Sequence, residues 1–265
     1  MKTLNDLINT YGLDKLNTFT KYPSILTYHD LGDRGTLKES HVEDKTFFDI
    51  EKCYLTEKID GTNSRIVVCH DDYIIGSRED ILYAKGDRIG NPALNIANTI
   101  KHIAESMTYA FDPTEGIFVL YVETYGGNVT SNSKQYTNDK TYGFRVFDIS
   151  YIGIEETEAI LNNPIDKISS WREHGGQHFY NVDIMKVFAK QYGVETVPYI
   201  DIVNGKTIPL TLSDTFDWLQ QFATTKAGIN ETGHAEGVVV RNFDRSLIRK
   251  IRFEDYERTK KQKIF

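Results

Sequence analysis

Lys58 stands in the segment Thr56-Glu57-Lys58-Ile59-Asp60-Gly61-Thr62-Asn63, beside an acid and a glycine turn. A lysine amine becomes a nucleophile when neighbouring positive charge or desolvation lowers its pKa, which makes Lys58 a candidate for covalent catalysis. Alone, the spelling K-x-D-G arises by chance in roughly one chain in twenty of this length, and a surface lysine in a β-turn explains it. Four further segments follow in order and change that balance. Val122-Glu123-Thr124-Tyr125-Gly126-Gly127 places a carboxylate at a strand end before a glycine turn, where it can accept sugar hydroxyls. Gly143-Phe144-Arg145-Val146-Phe147-Asp148-Ile149 alternates like a strand and offers an aromatic that can stack on a purine or simply fill a core. In Glu236-Gly237-Val238-Val239-Val240-Arg241 an acid opens an otherwise apolar strand, a position that needs a metal ion or a cation nearby. Lys250-Ile251-Arg252 sets two cations two residues apart, hence on one face of a strand, which suits phosphate oxygens. Arg78, after Ser77, is another cation for a phosphate or for a surface ion pair.

The elements that must hold these groups read as strands at 54–58, 63–70, 73–77, 117–123, 142–150, 236–241 and 247–252. A helix is expected over 92–111, since Leu94, Ala97, Ile100, Ile103, Ala104, Met107 and Phe111 recur at helical spacing and form a core face. Helices are also expected near 181–191 and 213–224, each opening on a capping residue. Residues 1–50 read as a short helix and then irregular chain around Gly32-Asp33-Arg34-Gly35. Strand runs with isolated helices predict an α+β fold of antiparallel sheets. With no repeat or low-complexity linker, one compact domain over 1–265 with 1–50 as an N-terminal extension is the simplest division.

Composition limits the alternatives. The chain has 265 residues, 40% hydrophobic and 12% aromatic, enough to bury a sizeable core. Its apolar runs are too short to cross a bilayer and its start lacks a signal-like stretch, so the expectation is a cytoplasmic protein with no membrane partner. Cys53 and Cys69 have no zinc-type spacing and are expected to be reduced, and the seven histidines show no paired motif. A net charge of −7 argues against bulk coating of nucleic acid. Positive charge is concentrated near the end, with eight Lys or Arg against three acids from Arg245 to Lys263. The last seven residues read equally as a solvated tail.

Taken together, the ordered segments over about 54–252 resemble the covalent nucleotidyltransferase superfamily of polynucleotide ligases and capping enzymes. The likeness is greatest to ATP-dependent RNA ligases of the RNA ligase 2 type found in phages. The resemblance implies an adenylylation domain in which Lys58 takes AMP from ATP, Glu57 precedes it, and Asn63 and Arg78 contact the nucleotide. It assigns Glu123 to the ribose, Phe147 with Asp148 beside it to adenine, Glu236 to ordering a divalent metal, Mg2+ (or Mn2+), and Lys250 and Arg252 to the phosphates. Arg252 stands where relatives usually carry a second lysine, which keeps the charge but not the compact ammonium. Only 13 residues follow Arg252, so no C-terminal oligonucleotide-binding barrel is expected. The implied reaction joins 5′-phosphate and 3′-hydroxyl ends of a polynucleotide, RNA preferred, nicked or single-stranded, in RNA repair. The alternatives are a DNA ligase, a guanylyltransferase, or a non-catalytic module that binds nucleotide or nicks.

Overall fold

The computed structural model describes residues 2–39, 47–110, 116–138, 140–229 and 232–262. The chain opens with α1 (Leu4–Tyr11) and α2 (Leu13–Thr20), then forms β1 (Cys53–Lys58), β2 (Thr62–Cys69), β3 (Asp72–Ser77), β4 (Ile81–Ala84) and β5 (Ile89–Gly90). Next come α3 (Ile96–Ala110), β6 (Gly116–Gly126), β7 (Tyr142–Gly153), α4 (Ile154–Leu161), α5 (Ile165–Glu173) and α6 (Val182–Tyr192). The remaining elements are β8 (Tyr199–Val203), α7 (Leu212–Leu219), β9 (Gly237–Arg241), β10 (Ile248–Arg252) and α8 (Phe253–Gln262). These segregate into two compact units, Met1–Ser24, Gly61–Ser133 and Asp139–Thr196 in the first, Ile25–Asp60, Lys134–Asn138 and Val197–Phe265 in the second.

The first unit is built on an antiparallel six-stranded sheet of order β5-β4-β3-β2-β6-β7. One face packs Val67, Val119 and Tyr121 against Leu4, Leu7, Leu16 and Phe19 of α1 and α2 and against Leu161 and Ile168 of α4 and α5. The helix α3 lies along β2 and β3, burying Ile100, Ala104 and Met107. Because both faces are covered, β6 is apolar on consecutive positions rather than alternating, the pattern of a fully buried strand. The carbonyls that close α2 are met one by one: Asn17 by Arg65, Thr18 by Arg172, Phe19 and Lys21 by Gln177, and Thr20 by Tyr121. Two arginines at a helix C-terminus also suit its partial negative charge. Burial pulls the pKa of Arg65, fully enclosed here, down to about 10.

The second unit carries a four-stranded antiparallel sheet of order β10-β9-β1-β8. Cys53, Leu55, Val238, Val240 and Ile251 share a core with Leu212, Leu219, Phe253 and Tyr256 from α7 and α8. The outer edge of β10 is paired with residues 26–28, through Lys250 N to Leu26 O and Tyr28 N to Lys250 O. Within this unit His29 is buried, its Nε2 3.1 Å from Leu210 O and its Nδ1 2.7 Å from the Tyr256 hydroxyl. A carbonyl can only accept, so Nε2 carries the hydrogen and the neutral ring accepts from Tyr256 at Nδ1. Burial lowers the His29 pKa below its ordinary value, with the Leu210 bond acting the other way. The folded protein therefore prefers neutral His29. Its stabilising contribution is complete above pH about 6.5 and is lost as pH falls through the lowered folded pKa. Thermal melts from pH 7.5 to 5 should show a steeper loss for the parent than for His29→Gln; parallel curves would contradict this.

The α+β class of antiparallel sheets flanked by helices is as expected, and the free cysteines are both buried. Several boundaries differ from expectation. Regular α3 begins at Ile96; Leu94 has φ 51° and is 40% exposed, so it is not a core residue, and Phe111 lies outside the described residues. A 3-10 turn before the helix breaks the periodicity that grouped Leu94 with the others. The strands β4, β5 and β8 and the helices α4 and α5 differ from expectation: β5 and β8 bury no residue, α4 and α5 bury two each, and β4, though buried throughout, is a run of only four residues, too short to set a period. The N-terminal stretch has two helices instead of one. The predicted helix near 213 starts earlier, at Leu212, capped by Thr211. The basic end is not a free tail as far as Gln262: α8 buries Phe253, Tyr256 and Thr259, and Lys263 lies outside the described residues.

Candidate active site

Three strand ends coincide in the second unit. Lys58, the last residue of β1, lies opposite Gly237, the first of β9, and Gly237 lies opposite Arg252, the last of β10. Glu236 precedes β9 by one residue instead of belonging to it, which corrects the expected strand start. Its backbone is held from both sides: its amide donates to Lys58 O at 3.2 Å and its carbonyl accepts from Phe253 N at 3.1 Å. So fixed, its carboxylate accepts from Lys58 Nζ at 2.5 Å and faces Arg252 at 3.7 Å. The expectation that this acid needs a cation is met by two. Arg252 also makes a bidentate pair with the buried Asp255, both bonds 2.8 Å. Burial works against its charge, yet the Asp255 and Glu236 carboxylates hold its pKa above the ordinary arginine value. Lys250 is half-buried on β10, two residues before Arg252 and opposite Val239.

Gly237 is what lets the strands close here. A Cβ on it would sit 2.1 Å from Ile251 O and 2.8 Å from the Arg252 Cα, both backbone atoms that cannot move aside. Gly237→Ala should therefore lower stability by about 2 kcal/mol or more, read as a denaturation midpoint. An unchanged midpoint would show that β9 and β10 are not held this closely.

Glu57 has a different setting from its neighbour. It is 2% exposed, and its carboxylate accepts from the Thr225 hydroxyl and, at 2.7 Å, from Lys226 N. Both oxygens thus anchor the loop at 225–226 to the strand that carries Lys58. Thr225 and Asp255 carry no motif in the sequence. Asp255 is signalled only by its three-residue offset from Arg252, and Thr225 by nothing local.

The other expected residues belong to the first unit. Asn63 on β2 lies opposite Glu123 on β6, and Glu123 lies opposite Arg145 on β7. Gly61 passes so close that a Cβ would meet Thr124 O at 2.5 Å and Glu123 Cγ at 2.9 Å. The Asn63 Oδ1 is buried with no hydrogen-bond partner among the described residues. Phe147 falls where the β6–β7 register shifts, and its ring meets Tyr22 edge-on at 4.9 Å. Buried Asp148 accepts from the Tyr22 hydroxyl at 2.7 Å. Arg78 sits just past β3 with a side chain 73% exposed, 3.5 Å from Glu79, which also pairs with Lys21. The expected residues are thus gathered in two sets. Lys58, Glu57, Glu236, Lys250 and Arg252 are in one unit; Asn63, Arg78, Glu123, Phe147 and Asp148 are in the other.

The family model for RNA ligase matches residues 51–260, a span that contains every one of these residues. The chain belongs to the RNA ligase family. No curated protein matches its sequence. Among solved structures it resembles Naegleria gruberi RNA ligase with pyrophosphate, at 16% identity and a TM-score of 0.55 over 92% of this chain and 63% of that one. It also resembles an alanine mutant of the same ligase with ATP and manganese, at 16% identity and a TM-score of 0.55, covering 91% of this chain and 62% of that one. The fold of this RNA ligase family member is therefore that of the nucleotidyltransferases, and the chain spans under two thirds of the length of these solved ligases. Among the described residues no helix is long and apolar enough to cross a membrane.

Proposed function

We propose that this chain is an ATP-dependent RNA ligase that works through a lysyl-AMP intermediate on Lys58. The observation that carries the reading is the contact of Lys58 Nζ with Glu236 at 2.5 Å, with Arg252 on the other carboxylate oxygen. In the first step the Lys58 nitrogen attacks the α-phosphorus of ATP. A nitrogen–phosphorus bond forms, the bond from the α-phosphorus to the oxygen that bridges it to the β-phosphorus (a phosphoanhydride) breaks, and pyrophosphate leaves with that oxygen. Glu236, which accepts a hydrogen bond from Lys58 Nζ, stands where it can take the proton that Lys58 must lose. Lys250 and Arg252 carry the positive charge that stabilises the departing phosphates. AMP then passes to the 5′-phosphate of the polynucleotide, and a 3′-hydroxyl displaces it as the two ends join. Asn63, Glu123, Phe147 with Asp148, and Arg78 serve the nucleotide in this reading, with Glu57 acting through the loop it anchors. The unpartnered Asn63 oxygen supports such a role.

Among the described residues there is no group of three acidic, histidine or cysteine side chains able to hold a metal ion. A magnesium or manganese ion would have Glu236 as its protein carboxylate, the remainder of its shell coming from nucleotide phosphates and water, as is usual for magnesium. When bound it would neutralise phosphate charge. In this proposal the chain serves as an adenylylation module, with RNA ends, nicked or single-stranded, as substrate and repair as the setting. Incubation with ATP and magnesium, followed by intact-mass measurement, should show a single added AMP that disappears when pyrophosphate is supplied. Absence of the adduct would remove the basis of the proposal. Comparing nicked RNA with nicked DNA then tests the substrate.

A further inference from the structure

The Lys58–Glu236 contact lies where the β1–β9 ladder stops. Lys58 and Gly237 are its last pair, and beyond them only the Glu236 amide bonds back to Lys58 O. Ile59-Asp60 on one side and His234-Ala235 on the other leave the sheet with no further rungs between them. Both stretches are instead held by residues Lys134–Asn138, which lie in sequence between β6 and β7 but belong to the second unit. The Tyr136 hydroxyl accepts from Asp60 N at 2.9 Å, two residues after Lys58. The Gln135 side chain binds the His234 backbone twice, donating to its carbonyl and accepting from its amide, each at 2.9 Å. That point is two residues before Glu236. A carboxamide that matches both groups of one residue does what a neighbouring strand would do. The strap is not a surface ornament, since Tyr136 is 5% exposed.

Resting on the adenylylation reading above, we infer that Gln135 and Tyr136 are positioning residues. They hold the backbones that carry the nucleophile and its carboxylate partner, and so set the distance between Lys58 Nζ and Glu236. Neither touches the reacting atoms. A misplacement of about 1 Å in such a pair can cost about a hundredfold in rate, whereas ATP affinity depends on other contacts. The signature is therefore a loss in the rate of AMP transfer with little change in the ATP concentration that half-saturates it.

Tyr136→Phe keeps the ring and removes the hydroxyl; Gln135→Met keeps the length and removes both polar groups. Two measurements on the full chain decide the matter. Amide hydrogen exchange should quicken at Asp60 in the first variant and at His234 in the second. Single-turnover formation of the AMP adduct should slow about tenfold or more, with half-saturating ATP within about twofold of the parent. Restoring an acceptor with Gln135→Glu should recover protection of the His234 amide and part of the rate. Faster exchange with adduct formation at the parental rate would overturn the positioning role, and so would unchanged exchange. A rate loss matched by an equal loss of ATP affinity would overturn it too. A parent that forms no adduct overturns the reading of Lys58 instead, while the exchange data still decide whether the strap holds both backbones.

Discussion

Lys58→Arg should abolish transfer of AMP to the protein while leaving its fold and its pairing with Glu236 in place. Arginine keeps the positive charge, and Glu236 can accept from a guanidinium as it does from the ammonium at 2.5 Å. What arginine lacks is a nitrogen that can give up its proton, since it stays charged at any working pH. The expected loss in single-turnover adduct formation is about 10³-fold or more, with a denaturation midpoint close to the parent's. Lys58→Ala should be equally inactive, and because it leaves Glu236 facing only Arg252 it should also be the less stable of the two. Adduct retained at another residue in either variant would mean that Lys58 is not the nucleophile.

Glu236→Gln is the second large effect. Its carboxylate lies between two cations, Lys58 and Arg252, with side chains only 24% and 23% exposed. Glutamine preserves shape and one acceptor oxygen but removes the charge that offsets them, so Lys58 loses the carboxylate placed to take its proton. The rate of AMP transfer should fall by about 10² to 10³. Breaking a partly buried ion pair from one side should cost about 1 to 3 kcal/mol, less than for a fully buried pair because solvent screens it. Arg252 should be affected less, since the buried Asp255 still holds it through two bonds. If Glu236→Gln transfers AMP at the parental rate, the contact is structural only.

The elements around the site were legible where sequence pattern coincides with local physics. The strands of Lys58, Asn63, Glu123, Phe147 and Lys250 were placed within a few residues, because alternating or continuous apolar runs bounded by turn residues have few other uses. The α3 core face was legible from Ala97 to Met107 for the same reason. Leu94 was misassigned because a 3-10 turn leaves apolar spacing unchanged while turning the side chain to solvent. The strand β8 and the helices α4 and α5 escaped since each buries too few residues to give a period. Thr259 fell within the charged end because its burial, with its hydroxyl accepting from Leu37 N, is not written in the local composition.

By itself the sequence determined the order of the chemical groups, the α+β class and membership of the RNA ligase family, all of which depend on residue identity and short-range spacing. Tertiary structure alone decided which groups meet. That Glu236 reaches Lys58 across 178 positions follows from the β1–β9 register and from a glycine with room for no side chain. That the carboxylate of Glu57 goes to Thr225 and Lys226, and that Gln135 and Tyr136 grip the two backbones beside the Lys58–Glu236 pair, likewise depends on long-range pairing. A hydrogen bond requires its partners within about 3 Å, and for residues far apart in sequence only the folded backbone sets that distance.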